Sequence, residues 1–142
     1  MGERLKGKRV VVLGAGQTPG ETIGNGRAIS ILFAREGAEV LCVDRALDRA
    51  EETAAMIATE GAAAHALAAN IAKAADCAAI VDWARSHWGR IDVLVNNVGI
   101  GGGGDGPAHR LEEEAFDRIL NVNLKGTWLS VKAVLPLMRE QG

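Results

Sequence analysis

The sequence contains no tyrosine, and only two cysteines, Cys42 and Cys77, occur among its 142 residues. So few cysteines exclude a disulfide framework, and a reducing, cytoplasmic compartment is the default expectation. The cysteines and the three histidines lack the spacing of a zinc site, so we expect no metal centre. Apolar runs fall far short of the ~20 residues of a membrane helix, and the N-terminal residues lack the apolar stretch of a secretory signal. A membrane partner is therefore not expected.

An excess of either charge is also absent, because 16 Lys and Arg residues face 18 Asp and Glu residues, a net charge of −2. A nearly neutral chain has no basic field, so nucleic acid is not an expected partner. Apolar residues make up 48% and charged residues 24%, which is typical of globular proteins. Chains of this length bury about two-thirds of their unfolded surface. Residues 1–142 are therefore predicted to form a single domain.

Short apolar runs alternate with helical patterns along the chain. Apolar runs rich in β-branched residues suit strands buried on both faces, and they predict strands at residues 9–13, 40–43 and 91–95. A weaker strand is predicted at residues 65–69, where the alanines do not separate strand from helix by their spacing. Apolar stripes at helical spacing predict the intervening helices, the first with Ile29, Leu32 and Phe33 on its buried face. A long helical stretch is predicted over residues 111–140, with a bend near Gly126. The βαβαβαβα order predicts a parallel sheet with helices on both faces.

Glycines cluster between the first strand and the first helix. Gly14, Gly16, Gly24 and Gly26 occur where a pyrophosphate needs close backbone approach, free N–H groups and the positive end of a helix dipole. The pattern predicts phosphate binding, although glycines also serve ordinary structural turns. This turn is several residues longer than a compact G-x-x-x-G-x-G loop, and residues 18–20 form an inserted turn.

Asp44 follows the second predicted strand. A carboxylate at this position can accept hydrogen bonds from both hydroxyls of an adenosine ribose, and it would repel a 2′-phosphate, which favours NAD over NADP. Alternatively, Asp44 caps the helix that follows, since Asp is a good N-cap residue. The neighbouring Arg45 could accept a phosphate, but its stem is more readily placed against the adenine.

The sequence Asn-Asn-Val-Gly at residues 96–99, with residues 88–95 before it and 111–126 after it, resembles the signature region of the short-chain dehydrogenase/reductase family. The glycine turn and Asp44 fit the same pattern, and the resemblance extends from Leu5 to the end of the chain. It implies a Rossmann-like, doubly wound α/β sheet in three layers. It also implies an NAD(P)-dependent oxidoreductase that transfers hydride between nicotinamide and an alcohol or ketone.

The resemblance also implies roles for individual residues. Asn70, followed by Ile71, occupies the position of a family Asp or Asn that touches the adenine. Asn97 and Gly99 would line the cofactor pocket beside the nicotinamide ribose. The family's phosphate-turn glycines are matched by Gly14, Gly24 and Gly26.

Asn123 matches the Asn of the family's catalytic tetrad, which holds a water in the proton relay. Helical spacing places Asn123 on an apolar face with Phe116 and Leu120, and a buried amide there needs hydrogen-bond partners. Without the resemblance, a satisfied structural Asn is the favoured interpretation. Asn121 points elsewhere and is predicted to lie at the surface.

The sequence departs from the family pattern at three places. Leu13 occupies a position usually held by Thr, so the hydroxyl tie from the glycine turn to residues 96–99 is expected to be missing. Val98 replaces an Ala, which adds bulk. The lengthened turn resembles that of divergent members such as enoyl-acyl-carrier-protein reductases.

The family's chemistry also needs a Tyr, a Lys four residues later, and a Ser that follows a fifth strand. No Tyr is present, and Ser30, Ser86 and Ser130 all fall within predicted helices. Of the histidines, only His109 is a candidate replacement acid near the nicotinamide, and a surface location is favoured for it. The chain is therefore expected to be the cofactor-binding portion of such an enzyme, truncated after about four βα units and inactive alone.

Two alternatives remain at this point: a non-catalytic dinucleotide-binding or interaction module, and one chain of a two-chain enzyme. Ending after the fourth strand would leave residues 91–95 as an uncovered apolar edge. The last helix carries apolar residues on more than one face, including Trp128, Leu129 and Leu135. We therefore expect a homo-oligomer that assembles through this helix.

Overall fold

The computed structural model describes residues 2–142, which form one four-stranded parallel sheet in the order β3-β2-β1-β4. Sequence-consecutive strands are added outward from β1 to β3, and the chain then crosses back to place β4 on the other side of β1. This crossing makes β1 and β4 the switch point of the sheet. The strands are β1 (Arg9–Leu13), β2 (Glu39–Asp44), β3 (Ala64–Ala68) and β4 (Val93–Asn96).

Helices connect the strands and follow the last of them. They are α1 (Asn25–Arg35), α2 (Leu47–Thr59), α3 (Ala74–His87), α4 (Glu113–Leu120) and α5 (Thr127–Glu140). A π-helical segment, Asn121–Gly126, joins α4 to α5 without a break. The predicted long helix therefore exists as a continuous stretch, but it widens at residues 121–126 and stays helical through Pro136.

Strand side chains alternate between two buried layers. Val10 and Val12 belong to a core that α1 and α2 cover, whereas Val11 and Leu13 belong to a core that α3 and α5 cover. All four are fully buried. This confirms the three-layer α/β/α arrangement, because a strand covered on both faces reads as an unbroken apolar run.

The predicted buried face of α1 is wrong in detail. Leu32 is 47% exposed, while Arg27, Ser30 and Ile31 are buried. The start of α1 is set by Gly26, which packs directly against the turn after β1, and this contact leaves no periodic pattern in the sequence.

The N-terminal edge of the sheet carries a polar network. Glu39 on β2 pairs with Arg9 on β1 at 2.6 Å, and its other oxygen lies 2.8 Å from the Nε2 of His65 on β3. The indole N–H of Trp88 donates to Glu39 at 2.8 Å. The network therefore ties three strands together at the edge opposite the glycine turn.

Candidate functional site

The carboxyl ends of the four strands border one cavity of about 410 Å³. This volume lies within the roughly 300–1,000 Å³ of small-molecule pockets, and ligands of open parallel sheets bind at this edge. Seven of the sequence-predicted site residues line it: Gly14, Asp44, Arg45, Asn70, Ile71, Asn97 and Gly99. The structure therefore brings together residues that lie far apart in sequence.

The glycine turn is shaped by close contacts. A Cβ on Gly26 would lie 1.8 Å from the carbonyl oxygen of Gly14, and a Cβ on Gly16 would lie 2.7 Å from the Asp44 carboxylate. Gly14 has φ of +77°, a conformation that L side chains rarely adopt. Of the four turn glycines, only Gly14 lines the cavity itself. The start of α1 is thus packed directly against the end of β1.

Asp44 ties the tip of β2 to the glycine turn. One carboxylate oxygen accepts the Gly16 N–H at 3.1 Å, and the other accepts the Ala46 N–H at 3.0 Å. The helix-cap interpretation is wrong, because Ala46 is the N-cap of α2 and Asp44 lies two residues before it. Asp44 is instead fixed in place beside the cavity, and the exposed Arg45 lines the same cavity.

The Asn97 side chain connects the glycine turn to residues 96–99. A Thr hydroxyl at position 13, where this chain has Leu13, would make that connection in the family. The side chain of Asn97 donates to the Gly14 carbonyl at 3.1 Å, and the Asn97 backbone N–H donates to the Leu13 carbonyl at 3.1 Å. The glycine turn is therefore joined to residues 96–99 despite Leu13. Val98 fits beside Gly14, with its Cγ2 3.2 Å from where a Cβ on that glycine would lie.

Residues 69–72, which follow β3, form one wall of the cavity. Asn70 holds the turn through its side-chain oxygen, which accepts the Ala72 N–H at 3.0 Å, and its own N–H donates to Asp76 at 2.8 Å. Ile71 is buried and presses against Gly126, whose Cβ would lie 2.9 Å from the Ile71 Cγ1. The π-helical segment can approach the cavity because residue 126 has no side chain.

Asn123 lies in the π-helical segment and is paired with a loop beside the cavity. Its side-chain oxygen accepts the Ile100 N–H at 2.8 Å, and its side-chain nitrogen donates to the Ile100 carbonyl at 2.9 Å. Both polar atoms of the amide are thus engaged with backbone. π-Helical turns recur at functional sites, and this one also places the exposed Asn121 in the cavity wall.

A series of buried hydrogen bonds links α1 and α2 to the glycine turn, and the sequence did not predict it. The Arg27 Nε donates to the Thr53 hydroxyl at 3.0 Å, and that hydroxyl donates to the Ala15 carbonyl at 2.9 Å. Arg27 is only 7% exposed, and its charge is paired with Glu52. An Arg and a Thr on two predicted helices give no sign in sequence that they meet, so only the fold reveals this contact.

The remaining candidates lie away from the cavity. His109 is exposed and is not among the cavity residues. Cys42 and Cys77 are buried in cores on opposite faces of the sheet, and burial raises the pKa of Cys42 to about 11, so this thiol is not a nucleophile at neutral pH. Within residues 2–142, no group of three or more potential ligands could hold a metal ion, and no helix has the length and apolar character to span a membrane.

Comparisons with known proteins agree on one family. A family model described as short chain dehydrogenase matches residues 8–142. A 2-(S)-hydroxypropyl-CoM dehydrogenase of Xanthobacter autotrophicus is 40% identical over 99% of this chain and 52% of its own length. A D-threitol dehydrogenase of Mycolicibacterium smegmatis is 36% identical over 98% of this chain and 50% of its own. The chain spans about half the length of the curated relatives it matches.

Solved structures give the same result for the fold. A hydroxysteroid dehydrogenase from Escherichia coli superposes with a TM-score of 0.83 at 32% identity, covering 98% of this chain and 55% of that chain. A short chain dehydrogenase from Mycobacterium smegmatis superposes with a TM-score of 0.85 at 32% identity, covering 95% and 54%.

Proposed function

The chain belongs to the short-chain dehydrogenase family, whose members use NAD(P), and we propose that its cavity binds a nicotinamide dinucleotide. The observation that supports this proposal is the cavity at the carboxyl edge, where the glycine turn, the tip of β2 and the segments after β3 and β4 converge. The contact between Gly14 and Gly26 leaves no room for a Cβ, so α1 starts directly against the end of β1, the close helix–strand packing of turns that bind a pyrophosphate at a helix N-terminus. The residues present therefore fit the group.

We assign roles along the cavity from one end to the other. Asp44 would accept hydrogen bonds from the adenosine ribose, and Asn70 and Ile71 would contact the adenine. Asn97 and Gly99 would lie beside the nicotinamide ribose. When bound, the nicotinamide supplies or accepts a hydride, and the chain's own residues bind and orient it.

We propose NAD as the preferred cofactor. Both Asp44 oxygens already accept backbone N–H groups, so the carboxylate is held at the tip of β2 as a fixed negative charge. A 2′-phosphate near it would bring like charges together, which costs several kcal/mol. Arg45 lines the same cavity and is the residue that could offset this cost for NADP.

Asn123 is proposed to act as a positioning residue. Its amide holds both backbone groups of Ile100, which is adjacent to Gly99 in the cavity wall. The family resemblance implies that Asn123 holds a water of the proton relay. We propose that Asn123 also supports this relay by fixing Ile100 and the neighbouring Gly99. Phe116 is 48% exposed and Leu120 39% exposed, so the predicted apolar face of this helix is not buried, and the Asn123 amide is held by the loop instead.

For the whole protein we propose hydride transfer between nicotinamide and an alcohol or carbonyl group. This chain has no Tyr to serve as the family's proton donor. Positioned acid–base catalysis is typically worth about 10²–10⁴ in rate. We therefore expect the 142-residue chain to bind the cofactor and to show no measurable NAD-linked turnover of alcohols or ketones.

Fluorescence titration with NADH and NADPH tests the binding proposal. We expect saturable NADH binding, with NADPH weaker by about tenfold or more because of the Asp44 charge. Asp44→Asn should narrow the difference between the two cofactors, whereas Asp48→Asn on the exposed start of α2 should leave it unchanged. A folded sample that binds neither cofactor would contradict the proposal. Equal affinity for both would contradict only the preference for NAD.

We also propose that a second copy of the protein covers the outer face of α5. Trp128 is 54% exposed and Leu135 48% exposed, and Leu124 in the π-helical segment is 65% exposed. Trp128, Val131 and Leu135 line one groove along the helix, which the charged residues Lys132, Arg139 and Glu140 also border. Apolar patches of this kind mark sites of association.

A further inference from the structure

The lengthened glycine turn is closed at its base by one side chain. The Gln17 amide nitrogen donates to the Thr22 carbonyl at 3.1 Å, and the Gln17 amide oxygen accepts the Gly24 N–H at 2.9 Å. Residues 18–23 between these contacts are all exposed, whereas Gln17 and Gly24 are half-buried. A single amide therefore joins both ends of an exposed excursion.

Gly24 is the N-cap of α1, so this contact fixes where the helix starts. Gly24 has extended backbone angles, φ −71° and ψ 149°, and no side chain caps α1. The first N–H groups of any helix lack partners within it, and at this helix they adjoin the turn after β1 through Gly26. Because Gln17 holds the residue just before them, the amide determines how those groups are presented.

Little else restrains the exposed segment. Within residues 2–142, the side-chain hydrogen bond that another element makes to residues 18–23 joins the Arg49 guanidinium on α2 to the Thr18 hydroxyl, and its 3.4 Å is the limit of a hydrogen bond. Without the Gln17 contacts, residues 18–24 would be free to move as a glycine-rich loop. Ordering that loop when a ligand binds would then reduce the affinity.

We propose that Gln17 is a positioning residue for the pyrophosphate of the dinucleotide, acting by closing the lengthened turn and fixing Gly24 at the start of α1. This inference rests on the proposed function. Gln17 does not touch the cofactor in this account. Its two hydrogen bonds restrain this longer turn, whereas a shorter glycine turn would be restrained by its length alone.

The chain contains a matched control for this amide. The Gln141 side chain also bridges a backbone N–H and a backbone carbonyl, both belonging to Ile91, at 3.1 and 2.6 Å. This pair lies at the opposite edge of the sheet, at the start of β4. Gln141→Ala therefore removes the same kind of contact far from the glycine turn.

NADH titrations of the full chain test the proposal. We expect Gln17→Ala to weaken NADH binding about three- to tenfold, the effect of losing one or two neutral hydrogen bonds. Gln141→Ala should change the affinity by less than about twofold while lowering the melting temperature at least as much. Unchanged NADH affinity in Gln17→Ala, with wild-type binding intact, would overturn the inference and leave the proposed function standing. Absence of wild-type binding would instead overturn the proposed function.

A second variant separates positioning from general loss of stability. In Gln17→Glu, the ionised carboxylate can still accept the Gly24 N–H but opposes the Thr22 carbonyl, whereas the protonated acid can donate to it and restore both contacts. The ratio of wild-type to Gln17→Glu affinity should therefore fall as the pH drops towards 4.5. The charges of Glu21, Asp44 and Arg49 lie near position 17 in both proteins, and wild-type NADH affinity measured over the same pH range is the baseline. We call the two Gln17 contacts, to Thr22 and Gly24, the Gln17 clamp. If the affinity ratio of wild type to Gln17→Glu does not change with pH, the clamp does not position the turn.

Discussion

At the residue scale, the glycine turn depends on glycines that are required by close contact rather than by flexibility. Gly26 meets the Gly14 carbonyl so closely that any side chain would force the start of α1 away from β1. Gly126 allows the π-helical segment to approach Ile71 in the same way. Other glycines, such as Gly99 and Gly103, have open space where a Cβ would stand. The two groups should respond differently to the same substitution.

Gly26→Ala is expected to abolish measurable NADH binding and to lower the free energy of unfolding by roughly 1–3 kcal/mol, the usual cost of overpacking. The physical reason is the 1.8 Å approach of the added Cβ to the Gly14 oxygen. Urea denaturation and NADH titration measure the two effects. Gly103→Ala is the control and should change stability by less than about 0.5 kcal/mol. Wild-type binding by Gly26→Ala would show that the cofactor does not depend on this contact.

At the element scale, the strands and their order along the chain are predictable because each strand is buried on both faces. The unbroken run at residues 9–13 coincides with β1, and the ends of the other strands differ by one or two residues. Gly14 and Asp44 of the cavity were also predictable, since residues that follow parallel strands meet at one edge, whereas Asn70, Ile71, Asn97 and Gly99 were implied by the family resemblance.

Contacts between elements were not predictable in the same way. The Gln17 clamp, the chain from Arg27 through Thr53 to Ala15, and the pairing of Asn123 with Ile100 all join a side chain to backbone or to a distant helix. None of these produces a periodic pattern. The π-helical widening, whose last residue Gly126 packs against Ile71, likewise leaves no periodic pattern in the sequence.

The polar network at the N-terminal edge predicts a pH dependence of stability. Burial would raise the pKa of Glu39, but hydrogen bonds from His65 and Trp88 and the charge of Arg9 outweigh it, so the pKa is lowered. A lowered folded-state pKa contributes stability that is present above the unfolded value, about 4.3 for Glu, and is lost as the pH falls through the folded value.

We therefore expect the free energy of unfolding to fall as the pH drops below about 5, and Glu39→Gln to reduce this slope. Urea denaturation at several pH values measures it. Glu51→Gln, on the exposed surface of α2, is the matched control and should keep the wild-type slope. If Glu39→Gln also keeps it, the network does not contribute in the way proposed.

At the scale of the whole molecule, two surfaces bear on assembly. Within residues 2–142, β4 is one of the two edge strands of the sheet and pairs only with β1. The outer face of α5 exposes Trp128, Val131 and Leu135. The relatives are about twice as long as this chain, so the fold described here corresponds to about half of each. An exposed strand edge is prone to pairing with other chains, so the oligomeric state in solution tests whether these surfaces are covered.

We expect the protein to sediment as a dimer or larger species at micromolar concentration. The double variant Trp128→Glu and Leu135→Glu should shift it towards monomer, because two charges would be buried in the proposed contact. Leu32→Glu is the control, since Leu32 is 47% exposed on α1, away from this surface. Assembly that responds to the control and not to the double variant would place the contact elsewhere.

We propose that the cavity at the carboxyl edge binds the dinucleotide through the glycine turn. The most direct measurement is ¹H–¹⁵N chemical-shift mapping of the 142-residue protein on addition of NADH. We expect saturable shifts at the backbone amides of Gly14, Gly26, Asp44, Asn70 and Asn97, and none at Ile91 on the opposite edge. Saturable shifts confined to the Ile91 edge or to α5, or no shifts in a folded sample, would contradict the claim.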